Sequence, residues 1–564
     1  MLDDNSVMQN PTIQNLNKIE KLFVSPYYYA RPQSGLYRPL TLASFSISRH
    51  FSKKPAISHI INLFIHGIIC FLIFLFILSL KDRKTAWISA LIFMFLPIHV
   101  ESVASIVGRS ELLALLFSLL ALLSSWKNKY WVTSLWFLLA LLSKEVAIAF
   151  LPIWVYIELV YKKMSPRTTI KHLLFFVPPV LLYAFMRYLA LGSKYFINAN
   201  GPSFFNPIRN TGIISGFYTA LKVLFLYVQK IIFPTYFSSD YSYNQITVAH
   251  RFFGSWQTMI GILILTGLLF FVLHSKNNLL RLGCVIFLSS YFVVSNLVFK
   301  IGTIMAERLM YLPSLGFALI SAEIFSQGFE KKKYKKVVWF IFILLLLIYA
   351  VQTIKGNRLW QNEKFLFENA YDKAPNSVVN VTNIASLLFQ SGKTEEALKK
   401  ISEATAIDPK NAPALQIRGQ IQMELKLPDQ AEESWKMAIS SQPDYLYPYL
   451  SLGTYYYRKG NFSAGENILL KIPTTAQPLA NLITLLSLNK IGLGKYQETI
   501  NLIKSSFGEN PEEKELQFAL GLAYLKNESE STAKSFLLKF KDQDISEQQY
   551  LKFLKTTKIF PIEI

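Results

Sequence analysis

The sequence predicts an all-α protein in two parts. A polytopic bundle of membrane-spanning helices comes first and an α-solenoid of tandem helix pairs follows. Three patterns predict it. Ten apolar stretches crowd the chain up to about residue 354. Basic clusters follow alternate stretches. Beyond the last stretch, prolines recur at a near-constant interval. The composition agrees: 564 residues, 52% of them hydrophobic and 15% aromatic, describe a membrane protein better than a soluble one.

A span needs about 20 apolar residues, and somewhat shorter ones occur. Such stretches lie near 59–80, 85–98, 111–125, 130–144, 146–160, 172–190, 255–274, 283–300, 309–327 and 337–354. Basic loops mark the cytoplasmic side. Lys81, Arg83 and Lys84 follow the first stretch, Lys127 and Lys129 the third, Lys162, Lys163, Arg167 and Lys171 the fifth. Lys276 and Arg281 follow the seventh, and the cluster from Lys331 to Lys336 the ninth. The net charge of +22 therefore reads as membrane anchoring and not as nucleic-acid binding. The opposite, outer side then holds 1–58, 99–110, Lys144–Glu145, 191–254, 301–308 and everything after 355.

Two segments strain the alternation. Residues 213–233 are apolar, but Lys222, Gln229 and Lys230 interrupt them, so a re-entrant or interfacial helix is expected there. Residues 1–58 carry seven basic side chains on the outer side, Lys18 and Lys21 among them, which the charge rule disfavours. A further helix preceding this first outer loop would remove the conflict. Only Cys70 and Cys284 are present, far apart and in or beside apolar stretches, so neither a disulfide framework nor a zinc spacing is expected.

Pro375, Pro409, Pro443, Pro478 and Pro511 are 34, 34, 35 and 33 residues apart, the period of tetratricopeptide repeats. Gly392 with Glu396-Ala397 recurs as Gln430-Ala431, as Gly460 and Gly465, and as Gly494. The domains expected are thus an outer loop 1–58, a membrane domain 59–354, a linker 355–375, a solenoid 376–541 and a tail 542–564. About four repeats fill 376–510, with a degenerate capping pair after them. Solenoids bind polypeptides in their concave surfaces, and a purely stabilising module is the alternative.

Ionisable residues at membrane depth are expensive, so each is a candidate for function. His99, Glu101, Arg109 and Glu111 fall between two apolar runs, where Glu101 and Arg109 could simply pair. Ser143-Lys144-Glu145 reads equally as a local ion pair or as part of a site. Ala306-Glu307-Arg308 opens a span, and a guanidinium suits a phosphate. Tyr37-Arg38-Pro39 precedes the first span, where Tyr and Arg also serve as interfacial anchors. Asp3-Asp4 alone reads as a solvated acidic pair. His59, Asn62 and His66 share one helix face, which favours interhelical hydrogen bonding over a metal site.

These motifs recur in order in one family. YRPL at 37–40, PIHVESVASIVGRSELL at 97–113, SKE at 143–145, DYSY at 240–243, SNLVFKIGTIMAERLMYLPSLGF at 295–317 and the C-terminal repeats carry the likeness. The chain resembles the transmembrane-and-tetratricopeptide-repeat protein O-mannosyltransferases, of the GT-C glycosyltransferase superfamily. The resemblance implies a helix before the first outer loop, and an Asp-Asp pair opening that loop, matched by Asp3-Asp4. It implies a polyprenyl- or dolichyl-phosphate sugar donor, mannose as the sugar, and protein Ser or Thr hydroxyls as acceptors held by the repeats. No cofactor beyond that lipid-linked donor is expected, and no metal ligand is assigned.

The roles that follow are an acceptor-activating base at Asp4 or Asp3, donor phosphate binding by Arg109 and Arg308 with Arg38 behind them, and Glu101 as a further acid at the reacting centre. His99, Lys144, Glu145, Asp240, Tyr241, Glu307 and Tyr311 would orient the substrates. The expected membrane is the endoplasmic reticulum in a eukaryote or the plasma membrane in a bacterium, with the repeats on the lumenal or periplasmic side. A membrane-anchored repeat scaffold without activity, or a transferase acting on lipid or polysaccharide, remains the alternative.

Overall fold

The computed structural model describes residues 7 to 527 except 9, 11, 29–33, 53, 197–202, 235–236, 299, 474–479 and 512, and beyond them 532 and 536. Among the described residues all regular structure is helical. Two compact units divide the chain, Met1–Asn380 and Val381–Ile564.

In the first unit the apolar stretches are helical over most of their length, that near 283–300 only as far as Val294. A short cap comes first: a 3₁₀ helix Leu16–Val24 and helix α1 (Pro39–Phe51) close over Leu22, Tyr27, Leu42 and Phe45. Then follow α2 (Pro55–Leu80), α3 (Arg83–Phe95), α4 (Val100–Ala104), α5 (Arg109–Trp126), α6 (Tyr130–Ser143), α7 (Phe150–Tyr156), α8 (Pro166–Leu173) and α9 (Val177–Phe196). After them come α10 (Ile213–Ile232), α11 (Trp256–His274), α12 (Asn278–Val294), α13 (Pro313–Glu330), α14 (Lys335–Leu359) and α15 (Glu363–Lys373). Among the described residues, five helices are long and apolar enough to cross a membrane alone: Pro55–Leu80, Arg109–Trp126, Pro166–Ser193, Trp256–His274 and Lys335–Leu359. The pair Arg83–Phe95 and Pro97–Ala104, bent by 53°, adds a sixth if counted as one span. Burial grades them. Arg109–Trp126 is 67% buried and central, whereas Trp256–His274 and Lys335–Leu359 are 11% buried and turn apolar side chains such as Leu263, Phe340 and Leu347 outward, as a lipid solvent requires.

Contacts sort the connections into two ends. At one end Lys81 pairs with Glu323 at 2.6 Å, Lys162 donates to the Ser125 carbonyl at 2.8 Å, and the Tyr156 hydroxyl donates to the Asn278 carbonyl at 3.0 Å. The basic clusters follow the helix ends gathered there. At the other end Thr41 donates to the Ser143 carbonyl at 2.9 Å and Thr353 to the Phe95 carbonyl at 3.1 Å. Helix α10 belongs wholly to this second end. Its middle meets the start of α11, where Thr258 donates to the Tyr218 carbonyl at 3.3 Å, and its last turns meet Ala306, whose carbonyl accepts from the Tyr227 hydroxyl at 3.1 Å. It is an amphipathic helix lying along the bundle end, with Ile213, Ile214 and Phe217 exposed and Leu221, Leu224 and Tyr227 buried.

Residues 355–375, expected as a linker, are largely helical. Helix α14 runs on to Leu359, and α15 buries Leu366, Phe367 and Ala370 in the first unit. Apolar residues recurring at helical spacing make this segment a packed helix.

The second unit continues α16 (Val378–Gln390) and stacks helix pairs: α16 with α17 (Thr394–Ile407), α18 (Ala412–Glu424) with α19 (Pro428–Ser441), α20 (Leu446–Arg458) with α21 (Phe462–Leu470), and α22 (Ala480–Gly492) with α23 (Tyr496–Phe507). Helix α24 (Lys514–Lys526) begins a further pair. The turn inside each pair uses a left-handed residue at a strict interval: Gly392, Lys426, Gly460 and Gly494, with φ of 77°, 61°, 75° and 75°. Glycine holds that conformation without Cβ strain, and only the second repeat departs from it. Asn380, in the triplet Asn380-Val381-Thr382, is fully buried and donates its amide to the Ala370 and Ala374 carbonyls at 3.0 and 3.1 Å.

Candidate functional site

The ionisable residues of the outer stretches gather at the second bundle end, with pairings that differ from the local ones available in sequence. Glu101, 4% exposed at the start of α4, pairs with Arg308 and not with Arg109. Its carboxylate accepts the Arg308 backbone N–H at 2.8 Å and also binds the guanidinium. The Arg308 side chain keeps 31% exposure, so part of a charged fork reaches solvent while its orientation is fixed from behind. The next residue back, Glu307, is buried. It accepts from the Tyr241 hydroxyl, from the Ser238 backbone N–H at 3.2 Å, and lies 3.8 Å from the Lys230 ammonium. Lys230 sits over the Tyr241 ring at 4.8 Å. Burial pushes the Glu307 carboxyl up to about 7, against the pull of Lys230, and burial lowers Lys230 in turn.

A second charge group lies on the side of α1 and α6. Lys144 and Glu145 point to different partners and do not pair with each other. Lys144 meets Glu111, both almost fully buried, and Arg38 grips Glu145 with two hydrogen bonds of 3.0 and 2.6 Å. Burial opposes ionisation of Glu145, yet Arg38 outweighs it and holds the carboxyl down at about 2. The guanidinium of Arg38 also lies 5.2 Å from the Tyr27 ring centre.

Arg109 is placed quite differently. It is 0% exposed, and no carboxylate pairs with it among the described residues. Nε donates to Asn62 Oδ1 at 2.8 Å, Nη1 to the Ser44 carbonyl at 3.1 Å and Ser48 Oγ at 3.2 Å, and Nη2 to the Ser58 carbonyl at 3.1 Å. Phe45 lies under the guanidinium at 4.7 Å. The side chain ties α1, α2 and α5 together. Gly108 makes the tie possible, since a Cβ there would collide with the Ser102 carbonyl. His99 does not face Glu101's partner either. Its Nε2 meets Ser314 Oγ at 2.7 Å, and its ring packs on Tyr311 at 4.7 Å, while Tyr311 meets His66 at 2.7 Å. The polar stripe expected on α2 therefore does bind across helices, through Asn62 and His66.

Asp240 closes the loop that carries Tyr241. Its carboxylate accepts from Ser242 N at 2.8 Å, Ser242 Oγ at 2.7 Å and Ser377 Oγ at 2.6 Å. Burial raises this carboxyl despite those bonds. Asp3 and Asp4 lie outside the described residues. Among the described residues no group of three or more His, Cys, Asp or Glu is arranged to hold a metal. Lys230 is the site residue that motif reading passed over, and its signal was the break it makes in an apolar stretch.

An all-helical protein with membrane-length helices, a buried acid and arginine cluster at one bundle end and a tetratricopeptide-type array is the class defined. Comparison with known proteins places the resemblance. No family model matches the chain. Over 590 residues, 96% of this chain, it is 24% identical to the protein O-mannosyl-transferase TMTC3 of Mus musculus. It is 24% identical to protein O-mannosyl-transferase F38B6.6 of Caenorhabditis elegans over 72% of this chain and 59% of that one. It is 26% identical to TMTC4 of Mus musculus over 70% of this chain and 62% of that one. The chain spans 61% of the length of the TMTC3 protein. A solved tetratricopeptide repeat protein from Parabacteroides merdae covers 40% of this chain at 17% identity and a TM-score of 0.28; the repeat assignment here stands on the 34-residue register itself.

Proposed function

We propose that the chain is a membrane glycosyltransferase that moves a mannosyl group from a polyprenyl-phosphate donor to Ser or Thr hydroxyls of proteins. The reaction takes place on the lumenal or periplasmic side, and the repeats bind the acceptor. One observation carries this reading: Glu101, Glu307 and Arg308, from segments 207 residues apart, converge at one bundle end in a chain whose relatives are named protein O-mannosyl-transferases.

The chemistry asked of that end is an inverting displacement. A carboxylate takes the acceptor hydroxyl proton, the hydroxyl oxygen bonds to the anomeric carbon, and the carbon–oxygen bond to the lipid phosphate breaks. The electron pair leaves with the phosphate, which needs a cation set in advance. Arg308 suits that role, because Glu101 fixes its orientation while part of the guanidinium stays accessible. Arg38, 12% exposed and doubly bonded to Glu145, stands as the reserve cation. The base falls to Asp4 or its neighbour Asp3. Glu307 accepts from Tyr241 and thereby holds the loop 237–245 beside it.

The test is transfer of labelled mannose from polyprenyl-phosphate mannose to a polypeptide by the full chain. Arg308→Ala is expected to lower the rate about 10²–10³-fold, and Asp4→Asn about 10²–10⁴-fold. Unchanged rates in both variants would leave an anchored scaffold as the better description. Label appearing on lipid or glycan and not on protein would move the assignment to the other class of acceptor.

A further inference from the structure

At the bundle end that gathers the basic loops, several cations are bonded internally. Lys81 holds Glu323 at 2.6 Å, Lys162 holds Glu158 at 2.5 Å, and Arg281 donates to the Val272 carbonyl at 3.0 Å. The turn between α13 and α14 differs. Lys331, Lys332, Lys333, Lys335 and Lys336 are all exposed, and none has a carboxylate partner among the described residues. Arg83, at the start of α3, is likewise exposed without one. The fold brings it to the lysines. Its neighbour Lys84 donates to the Ser326 carbonyl at 3.0 Å and reaches Glu330 at 3.4 Å, and Thr85 donates to Ser326 Oγ at 3.0 Å. The start of α3 is therefore bonded to the last turns of α13, directly before the lysine run. Aromatic rings begin about one helical turn from these charges. Trp339 of α14 stacks on Phe329 of α13 at 4.4 Å and stays 43% exposed. Trp87 of α3 packs on Phe74 of α2 at 4.8 Å and is 50% exposed. Past Trp339 the outward face of α14 is apolar, through Phe340, Leu344 and Leu347.

We infer that this turn is a binding site for the headgroup of an anionic phospholipid. The lysines and Arg83 hold the phosphate. Trp339 and Trp87 lie at the depth where headgroup gives way to hydrocarbon, as interfacial tryptophans do. The acyl chains run along the outward face of α14. The inference does not depend on the transferase reading. It rests on α2 and α14 crossing a bilayer, which their length and composition allow. A phospholipid is the occupant because it satisfies both parts of the surface. Free phosphate would meet the cations and leave the apolar face bare. Nucleic acid would need cations clear of the bilayer, whereas these end where the apolar face begins. Crowded like charges repel one another, and a bound anion relieves that repulsion. Each cation close to an anionic membrane surface favours association roughly fivefold.

The experiment uses the full chain, purified in a neutral detergent and freed of lipid. Native mass spectrometry counts bound phosphatidylglycerol and phosphatidylcholine at matched concentrations. The triple variant Lys332→Gln, Lys333→Gln, Lys336→Gln neutralises the turn. A second triple variant, Lys127→Gln, Lys129→Gln, Lys163→Gln, removes the same charge from two other loops of the same bundle end. A third places arginine at 332, 333 and 336 and keeps the charge. The wild type is expected to prefer phosphatidylglycerol by about tenfold or more. The first variant should lose that preference, and the other two should stay within about twofold of wild type. Salt at about 1 M shortens the screening length to about 3 Å and should abolish the wild-type preference. No preference in the wild type, equal loss in both glutamine variants, or loss in the arginine variant would overturn the inference. Displacement of the lipid by millimolar inorganic phosphate would also overturn it, leaving an anion site without a lipid.

Discussion

Arg109 offers the sharpest division between two roles. As a phosphate ligand it would be replaceable at little cost to folding; as the buried tie between α1, α2 and α5 it would not. Arg109→Met keeps the apolar length and removes the fork. Asn62 Oδ1 then loses its donor, whereas the Ser44 and Ser58 carbonyls keep the N–H groups of Ser48 and Asn62 within their own helices. Ser48 Oγ can rotate. One orphaned buried acceptor costs about 2 kcal/mol, within the usual range. That is roughly thirtyfold in the opening equilibrium of the cap. Arg109→Lys, with one ammonium in place of a planar fork, should fall between. Hydrogen exchange in residues 39–62 reads the opening, and transfer kinetics read the donor. The tie predicts faster exchange in 39–62 with an unchanged donor KM in the fraction still folded. Exchange at the wild-type rate with a raised donor KM would refute it and return Arg109 to the phosphate.

Two further outcomes follow from geometry. In the folded protein Glu307 keeps its proton up to about 7, whereas an ordinary glutamate loses it near 4.5. Its contribution is therefore present at acid pH and is lost as pH rises through that window, so thermal melts should fall between pH 4.5 and 7 less steeply in Glu307→Gln than in wild type. Equal slopes would mean that Glu307 titrates normally. Lys426 holds φ of 61° where the other repeats place glycine, so Lys426→Gly should stabilise the second repeat by about 1 kcal/mol, read as slower exchange in α18 and α19.

The positions of the helices were legible because apolar runs, basic clusters and prolines each report a local requirement. The 34-residue period is a property of every repeat, so it survives even where Lys426 replaces glycine. The pairings within the site were less legible. Glu101 had Arg109 eight residues away and took Arg308 instead, and Lys144 passed over its neighbour Glu145 for Glu111. Charge identity says that a buried group needs a partner, but the backbone path decides which. Arg109 shows the limit most clearly: its partners are two main-chain carbonyls and the side chains of Ser48 and Asn62, and carbonyls leave no trace in a sequence. Lys230 and the helical character of 355–375 were visible as a break in hydropathy and a helical spacing, each with a plausible bland reading.

Helix α10 has an implication for the medium around the protein. Twenty residues make a rod of about 30 Å. One end exposes the apolar side chains of Ile213, Ile214 and Phe217, and the other delivers Lys230 to Glu307. A rigid lever of this kind turns a change in its depth of immersion into movement at the carboxylate. Bilayer thickness and headgroup packing would then act on the proposed transfer as variables in their own right, and measurements compared between detergent micelles and vesicles of different chain length would register the lipid as well as the protein.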